Sequence, residues 1–173
     1  MSPGLRTTLY AIIILGLFLI ILPWQVLKLD VVVSQYLETI LTYAGALLFL
    51  TGGVLLFTGA YYLARRGDGT PLPLDPPKRM VVAGPYAYIQ HPMLLGFLMI
   101  AFGEALWFHS ALLGVYAVLL TLVGNLFVIY VEEPGLEKRF GEDYRAYRAV
   151  TSRWLPLSRR KEEISSTNLQ LRN

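Results

Sequence analysis

The sequence predicts an all-α membrane protein of about four transmembrane helices plus a C-terminal amphipathic helical tail. Three stretches carry no charged side chain, residues 7–27, 39–64 and 105–131. Each reaches the roughly 20 residues that a helix needs to cross the hydrocarbon core of a membrane. Hydrophobic residues make up 55% of the chain and charged residues only 16%, which is unlike a soluble protein. We therefore expect one integral membrane domain over residues 1–173.

The first helix is predicted from about Thr8 to Trp24, where Pro23 should stop it. A basic residue, Arg6, precedes this apolar stretch, as in a signal peptide. The stretch ends without a small-residue cleavage site, so we interpret it as a retained helix.

The second helix is predicted from about Leu37 to Leu63, so residues 1–64 hold helices one and two. Three of its glycines are seven residues apart, Gly45, Gly52 and Gly59. This spacing places small residues where they let a neighbouring helix approach closely. We expect these glycines to serve packing.

Residues 65–91 are predicted to form a polar loop, because five prolines and three glycines exclude a continuous helix. Pro92 suits the first turn of helix three, which runs to about Phe108. His109-Ser110 then reverses the chain, and helix four runs from about Ala111 to Val131. Residues 92–131 are therefore expected to be an antiparallel helical hairpin.

The basic residues predict the orientation of these helices. Of the 15 lysines and arginines, Lys28 alone falls on the side opposite the termini in a four-helix arrangement. Because basic residues concentrate on the cytoplasmic side, we expect a multi-pass protein with both termini and the active site in the cytoplasm. The net charge of +3 and the pI near 9.2 then reflect the excess of basic residues on the cytoplasmic side of a membrane protein. No nucleic acid partner is expected.

The region after helix four is predicted to be an amphipathic helical tail. Its apolar residues recur every three or four positions, namely Leu136, Phe140, Tyr144, Tyr147, Val150 and Trp154. Such a face suits an anionic lipid surface, and Gly141 should break the helix in two. We expect residues 132–156 to complete the active site from the cytoplasmic side and residues 157–173 to be disordered.

Few residues could carry chemistry. His91 stands at the start of helix three, and Glu132-Glu133 stand where helix four leaves the membrane. Asn125 lies deeper on helix four, and Glu104 lies near the outer end of helix three, where we expect a structural role. The chain has no cysteine, which excludes disulfides, thiolate metal sites and cysteine nucleophiles. With its two histidines at opposite ends of helix three, no metal site is predicted.

A series of short motifs runs from Lys78 to Pro156, nearly half of the chain. Its members are Gly84-Pro85-Tyr86, His91-Pro92-Met93, Gly96, Glu132-Glu133, Leu136, Phe140-Gly141, Tyr144, Tyr147 and Trp154-Leu155-Pro156. In order and spacing this series resembles the isoprenylcysteine carboxyl methyltransferase family, whose wider circle includes bacterial phospholipid methyltransferases. The resemblance implies an integral membrane methyltransferase, of the EC 2.1.1 class, that uses S-adenosylmethionine.

The resemblance also implies which residues bind the cofactor, while the catalytic residues stay unknown. The implied cofactor contacts are Lys78, Arg79, Met80, Val81, Tyr86, His91, Pro92, Met93, Leu94 and Glu132. Flat apolar side chains would hold the adenine, and Glu132 would bind the ribose hydroxyls or the ammonium group. The first backbone N–H groups of helix three would bind the cofactor carboxylate.

The acceptor side departs from the family pattern at three positions. Val128 stands where an arginine is expected, Gln90 stands where the residue before His-Pro is commonly arginine, and Leu94 replaces a common tyrosine. The residues we expect near the acceptor are Gln90, Asn125, Val128 and Arg153. Without the arginine, the expected acceptor is a phospholipid amine or another lipid nucleophile, so the expected partners are the bilayer and a membrane lipid or lipidated small molecule.

Two other functions fit parts of the sequence. A sterol-type membrane reductase has a similar tyrosine-rich tail, but it would bind NADPH, which needs more basic contacts than this region offers. A non-catalytic membrane scaffold that kept the fold would explain the missing arginines at positions 90 and 128. The sequence leaves the oligomeric state open.

Overall fold

The computed structural model describes residues 9, 12–27, 38–67 and 77–154 and is all-helical over them. Its helices are α1 (Ile12–Leu27), α2 (Glu38–Arg66), α3 (Pro92–Trp107), α4 (Ala111–Phe140) and α5 (Glu142–Val150). A short 3-10 turn at Gly84–Ala87 precedes α3. Lys28, residues 68–76 of the predicted polar loop and residues 155–173 lie outside the described residues.

Pro23 does not end α1, so that prediction is wrong. The helix continues to Leu27, and a π-helical turn at Leu17–Ile21 comes directly before the proline-containing turn. Proline in a helix removes one N–H donor, and its ring clashes with the carbonyl four residues earlier, here that of Leu19. A wider π turn at this place relieves that clash and lets the helix go on.

The glycines of α2 pack against α3. A Cβ atom on Gly45 would lie 2.7 Å from the Gly103 carbonyl oxygen, and one on Gly52 would lie 2.7 Å from the Gly96 carbonyl oxygen. One on Gly59 would meet the Met93 side chain at 2.7 Å. Such distances leave no room for a side chain, so the two backbones are in direct contact. The sequence left the partner of this face open, and it is α3.

The turn between α3 and α4 is the reversal expected at His109-Ser110. His109 has φ 52°, and the Ser110 hydroxyl accepts the Leu113 N–H at 3.0 Å, which caps α4. His109 Nε2 lies 2.9 Å from the Glu38 carbonyl oxygen at the start of α2. This end of the structure is thereby tied together across three helices.

Helix α4 is longer than predicted and passes through Pro134. A second π turn, Val128–Glu132, again ends two residues before the proline, and the helix then continues from Glu133 to Phe140. Gly141, at φ 55°, separates α4 from α5 as expected for a glycine break. Glu132 and Glu133 therefore lie within a helix rather than at the start of one.

Two of the helices, α2 and α4, are long and apolar enough to cross a membrane. In the most apolar part of each, only 17% of the residues are buried inside the structure, whereas the core helix of a soluble protein would be mostly covered. Helices α1 and α3 are apolar but shorter, at 16 residues each. The two long helices agree with a membrane protein, and four crossings remain a prediction.

Candidate active site at the ends of α3 and α4

The candidate site is built where the chain after α5 returns to the start of α3. Ile89 and Ser152 form an isolated parallel bridge. The backbone N–H of Gln90 donates to the Ser152 carbonyl at 2.9 Å, and the Gln90 side-chain amide donates to the Thr151 carbonyl. Residues 151–154 are thereby held beside His91, although they follow it by about 60 positions in the chain.

Two further contacts fix this region to α5 and α2. The Tyr147 hydroxyl donates to the Tyr86 carbonyl oxygen at 2.7 Å. Gly84, at φ 63°, lies against the ring of Tyr62, which a Cβ atom would approach to 2.6 Å. Tyr144 and Tyr147 are almost fully buried, so this part of the amphipathic face is covered by protein rather than by lipid.

His91 lies between the two glutamates of α4. Its side chain is 3% exposed, with Nδ1 at 3.3 Å from Glu132 Oε1 and Nε2 at 3.8 Å from Glu133 Oε1. The Trp154 ring centroid lies 6.0 Å from that of the imidazole. A histidine between two carboxylates is held in a defined orientation, and its Nδ1–H can donate to Glu132.

The two glutamates differ in their surroundings. The Glu133 side chain is 4% exposed and is clamped by Arg153, whose Nε and Nη2 donate to its two oxygens at 2.6 and 3.0 Å. Arg148 approaches the same carboxylate at 3.4 Å. The Glu132 side chain is 40% exposed and has none of these arginine contacts. Glu133 is thus neutralised within the protein, while Glu132 presents a carboxylate to a ligand.

Three buried polar atoms in this cluster have no hydrogen-bond partner among the described residues: Gln90 Oε1, His91 Nε2 and the Tyr144 hydroxyl. Nearly all buried polar atoms in proteins are hydrogen-bonded. Helix α3 also starts without a side-chain cap, so its first backbone N–H groups lack one more partner. An arrangement with this many open donors and acceptors is suited to a polar ligand.

The tyrosines of the cluster remain neutral donors at ordinary pH. Burial raises the pKa of Tyr144 to about 12, and the charge of Glu133 acts in the same direction. Burial, with a smaller effect of the Glu132 charge, also raises the pKa of Tyr86. The pKa of Tyr147 is raised by burial above all. The rise follows because ionisation would place a phenolate in a poorly hydrated place beside carboxylates.

The residues implied as cofactor contacts fall into an inner and an outer group. His91 and Pro92 are buried at the start of α3, Val81 is buried in the preceding segment, and Tyr86 lies close enough to feel the charge of Glu132. Lys78 and Arg79 are exposed. Met80 is half-buried.

Met93 and Leu94 contact neighbouring helices. Met93 packs beneath Gly59 of α2, and the Leu94 side chain approaches the Gly124 position of α4 to 3.3 Å. Leu94 therefore fills the space between α3 and α4, at the place where the family commonly has tyrosine.

The residues expected near the acceptor are distributed unevenly. Gln90 and Arg153 are in the cluster, since both hold the returning segment or Glu133. Val128 is fully buried at the first position of the π turn, and Asn125 is half-buried one turn earlier. An extra residue in the π turn shifts the helix faces by about 100°. Both residues precede Glu132 across this turn, so neither is spaced from it as in an unbroken α-helix.

Sequence reasoning assigned no site role to Arg148, Tyr144 or the backbone of Thr151 and Ser152. The three- and four-residue spacing of the tail did point to a buried face that includes Tyr144. Arg148 could not be singled out from the sequence, because it is one of several charged residues in the tail. Its contact with Glu133 depends on how α5 packs in the folded protein.

Comparison with known proteins places the chain in a known group. A family model described as phospholipid methyltransferase matches residues 40–143. A protein of Haemophilus influenzae, described as an uncharacterized protein, is 38% identical over 63 residues, which are 36% of this chain and 100% of that protein. No solved structure matches the chain.

Proposed function

Because this chain belongs to the phospholipid methyltransferase family, we propose that it transfers a methyl group from S-adenosylmethionine to a lipophilic amine. We assign the reaction to the cluster of His91, Glu132 and the segment 151–154. The observation that carries the assignment is the set of buried polar atoms, on the segment before α3 and on α5, that have no partner among the described residues. They lie beside Glu132, whose carboxylate is open to a ligand.

These residues match the polar groups of S-adenosylmethionine. The Glu132 carboxylate would accept hydrogen bonds from the ammonium group or the ribose hydroxyls. The uncapped N–H groups of α3 suit a carboxylate, while Gln90 Oε1 is an acceptor and the Tyr144 hydroxyl a donor. Met80, Val81 and Tyr86 would form the apolar walls around adenine.

When bound, the cofactor supplies an electrophilic methyl group on a sulfonium. The protein then has to hold the two reactants in line and exclude water, because effective concentration accounts for much of such catalysis. The buried tyrosines and Trp154 restrict access of water, and the Glu133–Arg153 pair keeps the returning segment in place. His91, between two carboxylates, is the group placed to accept a proton from an ammonium acceptor.

The charges of the cluster favour an amine over a carboxylate as the acceptor. Arg148 and Arg153 are both engaged by Glu133, and Val128 offers only apolar contact. A carboxylate acceptor would enter beside the Glu132 carboxylate, which repels it, and its desolvation there costs several kcal/mol. An amine acceptor meets no such barrier, and a phospholipid amine headgroup satisfies this chemistry.

We further propose that four helices cross the membrane and that the site faces the cytoplasm. The support is the distribution of basic residues, of which Lys28 alone lies on the opposite side. With this orientation the cofactor enters from water and the acceptor enters sideways from the lipid.

The function is tested with purified protein in phosphatidylcholine nanodiscs and radiolabelled S-adenosylmethionine. We expect label to be transferred to phosphatidylethanolamine and not to a farnesylcysteine analogue. Glu132→Gln should abolish most transfer, while Glu142→Gln, at an exposed carboxylate outside the cluster, should leave it unchanged. Efficient methylation of the farnesylcysteine carboxylate would contradict the choice of an amine.

Cofactor binding is tested separately by calorimetry with S-adenosylmethionine and with NADPH. Binding of S-adenosylmethionine alone is expected. Binding of NADPH alone would indicate a reductase, and binding of neither would indicate a scaffold.

A further inference from the structure

A second cavity lies at the other end of the helices and contains a buried carboxylate. It has a volume of about 530 Å³, is partly open, and lies between α1, α2 and α3. Glu104 of α3 lines it and is 8% exposed. Glu104 follows His91 by 13 positions, which along a helix is roughly 20 Å. The cavity is therefore separate from the candidate active site.

Glu104 is the one acidic residue among the described residues that line this cavity. No described residue donates a hydrogen bond to its carboxylate or forms an ion pair with it, and no lysine or arginine is among the described residues that line the cavity. Leaving a carboxylate buried among apolar side chains is costly. Within a transmembrane helix, such a residue usually faces a protein cavity and marks a functional site.

The walls of the cavity are aromatic and aliphatic. Trp24, Phe49, Trp107 and Phe108 line it together with Leu19, which lies in the first π turn. Aromatic rings attract cations through the negative potential of their faces, and rings beside a carboxylate are a recurring arrangement for organic ammonium groups. The volume is that of a small-molecule pocket.

We propose that this cavity binds a lipophilic amine, a ligand with an apolar body and a single protonated nitrogen. The carboxylate of Glu104 would pair with the ammonium group, and the rings and Leu19 would cover the hydrocarbon part. A zwitterionic phospholipid fits less well, because its phosphate would lie near Glu104 without a cation from the described lining. The proposal does not depend on the methyltransferase function.

The proposal is tested by titrating the protein in phosphatidylcholine nanodiscs at pH 7 with dodecylamine and with dodecanol. These probes share a chain length and differ in charge. Tryptophan fluorescence reports binding, since Trp24 and Trp107 line the cavity, and empty nanodiscs correct for partitioning. We expect saturable binding of dodecylamine, tighter than that of dodecanol by about tenfold or more.

Two variants separate the charge from the cavity. Glu104→Gln should remove the preference for the amine, whereas Glu38→Gln, at a carboxylate outside the cavity, should keep it. Ala46→Phe fills the cavity and leaves Glu104 in place, so it should weaken both probes even if Glu104→Gln fails to fold.

Three results would overturn the proposal. One is equal binding of amine and alcohol by the native protein, and another is an unchanged preference in Glu104→Gln. The third is a preference that appears only after Lys28→Gln, because Lys28 of the same chain would then be the natural partner of Glu104.

Discussion

At the level of single residues, the two adjacent glutamates of the site, Glu132 and Glu133, have different surroundings and different expected roles. Glu133 is buried and paired with Arg153 and Arg148, whereas Glu132 is partly exposed and lies beside His91. Of these two glutamates, Glu133 therefore stabilises the fold, and Glu132 has a carboxylate that is open to a ligand.

We predict that Glu132→Gln weakens S-adenosylmethionine binding by about 1.5–3 kcal/mol, which is tenfold to a hundredfold, through loss of a charge-assisted hydrogen bond. Glu133→Gln should instead lower the thermal stability of the protein, because Arg153 would lose its carboxylate partner. Calorimetry and thermal unfolding of both variants make the comparison. Equal and small effects of the two changes would contradict the different roles given to the two glutamates.

Two buried tyrosines give a second matched pair. Tyr147→Phe removes a hydrogen bond to the Tyr86 carbonyl and should cost about 1 kcal/mol of stability without ligand. Tyr144→Phe removes a hydroxyl that has no partner among the described residues, so the ligand-free protein should lose little. Its cofactor affinity should fall, as measured by calorimetry. A large loss of ligand-free stability in Tyr144→Phe would show that its hydroxyl already has a partner.

At the level of elements, two π turns lie beside the cavity of Glu104 and the candidate active site. Each ends two residues before a proline, Pro23 in α1 and Pro134 in α4. The first borders the cavity of Glu104, and the second ends at Glu132. A wider turn lets a helix continue past proline and rotates the residues beyond it. The second turn lies directly before Glu133, and Glu132 and Glu133 are the residues of α4 within ion-pair distance of His91 among the described residues.

The contact between α2 and α3 gives a prediction for two adjacent glycines of α2, one that packs on α3 and one that serves as the control. Gly52→Ala would place a Cβ 2.7 Å from the Gly96 carbonyl oxygen and should lower stability by about 1–3 kcal/mol. Gly53→Ala meets nothing within 4 Å and should be neutral or stabilise the helix by up to about 1 kcal/mol. Thermal unfolding in one detergent compares them. A similar loss in both would contradict the packing of α2 on α3.

At the level of the whole molecule, the orientation in the membrane is the main prediction. Cysteines introduced at Ser2, Gly69 and Ser165, which lie outside the described residues, should react with an impermeant thiol reagent from the cytoplasmic side only. The native chain has no cysteine, so the background is clean. Labelling of Gly69→Cys from the opposite side would overturn the four-crossing topology.

The family match agrees with the wider membrane methyltransferase group predicted from the sequence, and its description is that of phospholipid methyltransferases. The narrower resemblance to the carboxyl methyltransferases rested on the motifs alone. Gln90, Leu94 and Val128 depart from the pattern of the carboxyl methyltransferases, and the prediction that they change the acceptor is open to the methyl-transfer assay.

The sequence by itself determined the all-helical class, the apolar helices, the reversal at His109 and the membership of a methyltransferase group. The first three follow from local composition and spacing, which need no knowledge of distant contacts, and the fourth follows from the resemblance of a motif series to a known family. Only the tertiary structure decided that the helices pass through Pro23 and Pro134, that Glu133 is taken by Arg153, and that Glu104 lies in a cavity. The physical reason is that each depends on groups that packing brings together. A short segment of sequence shows neither where a π turn will form nor which distant residue will pair with a charged side chain.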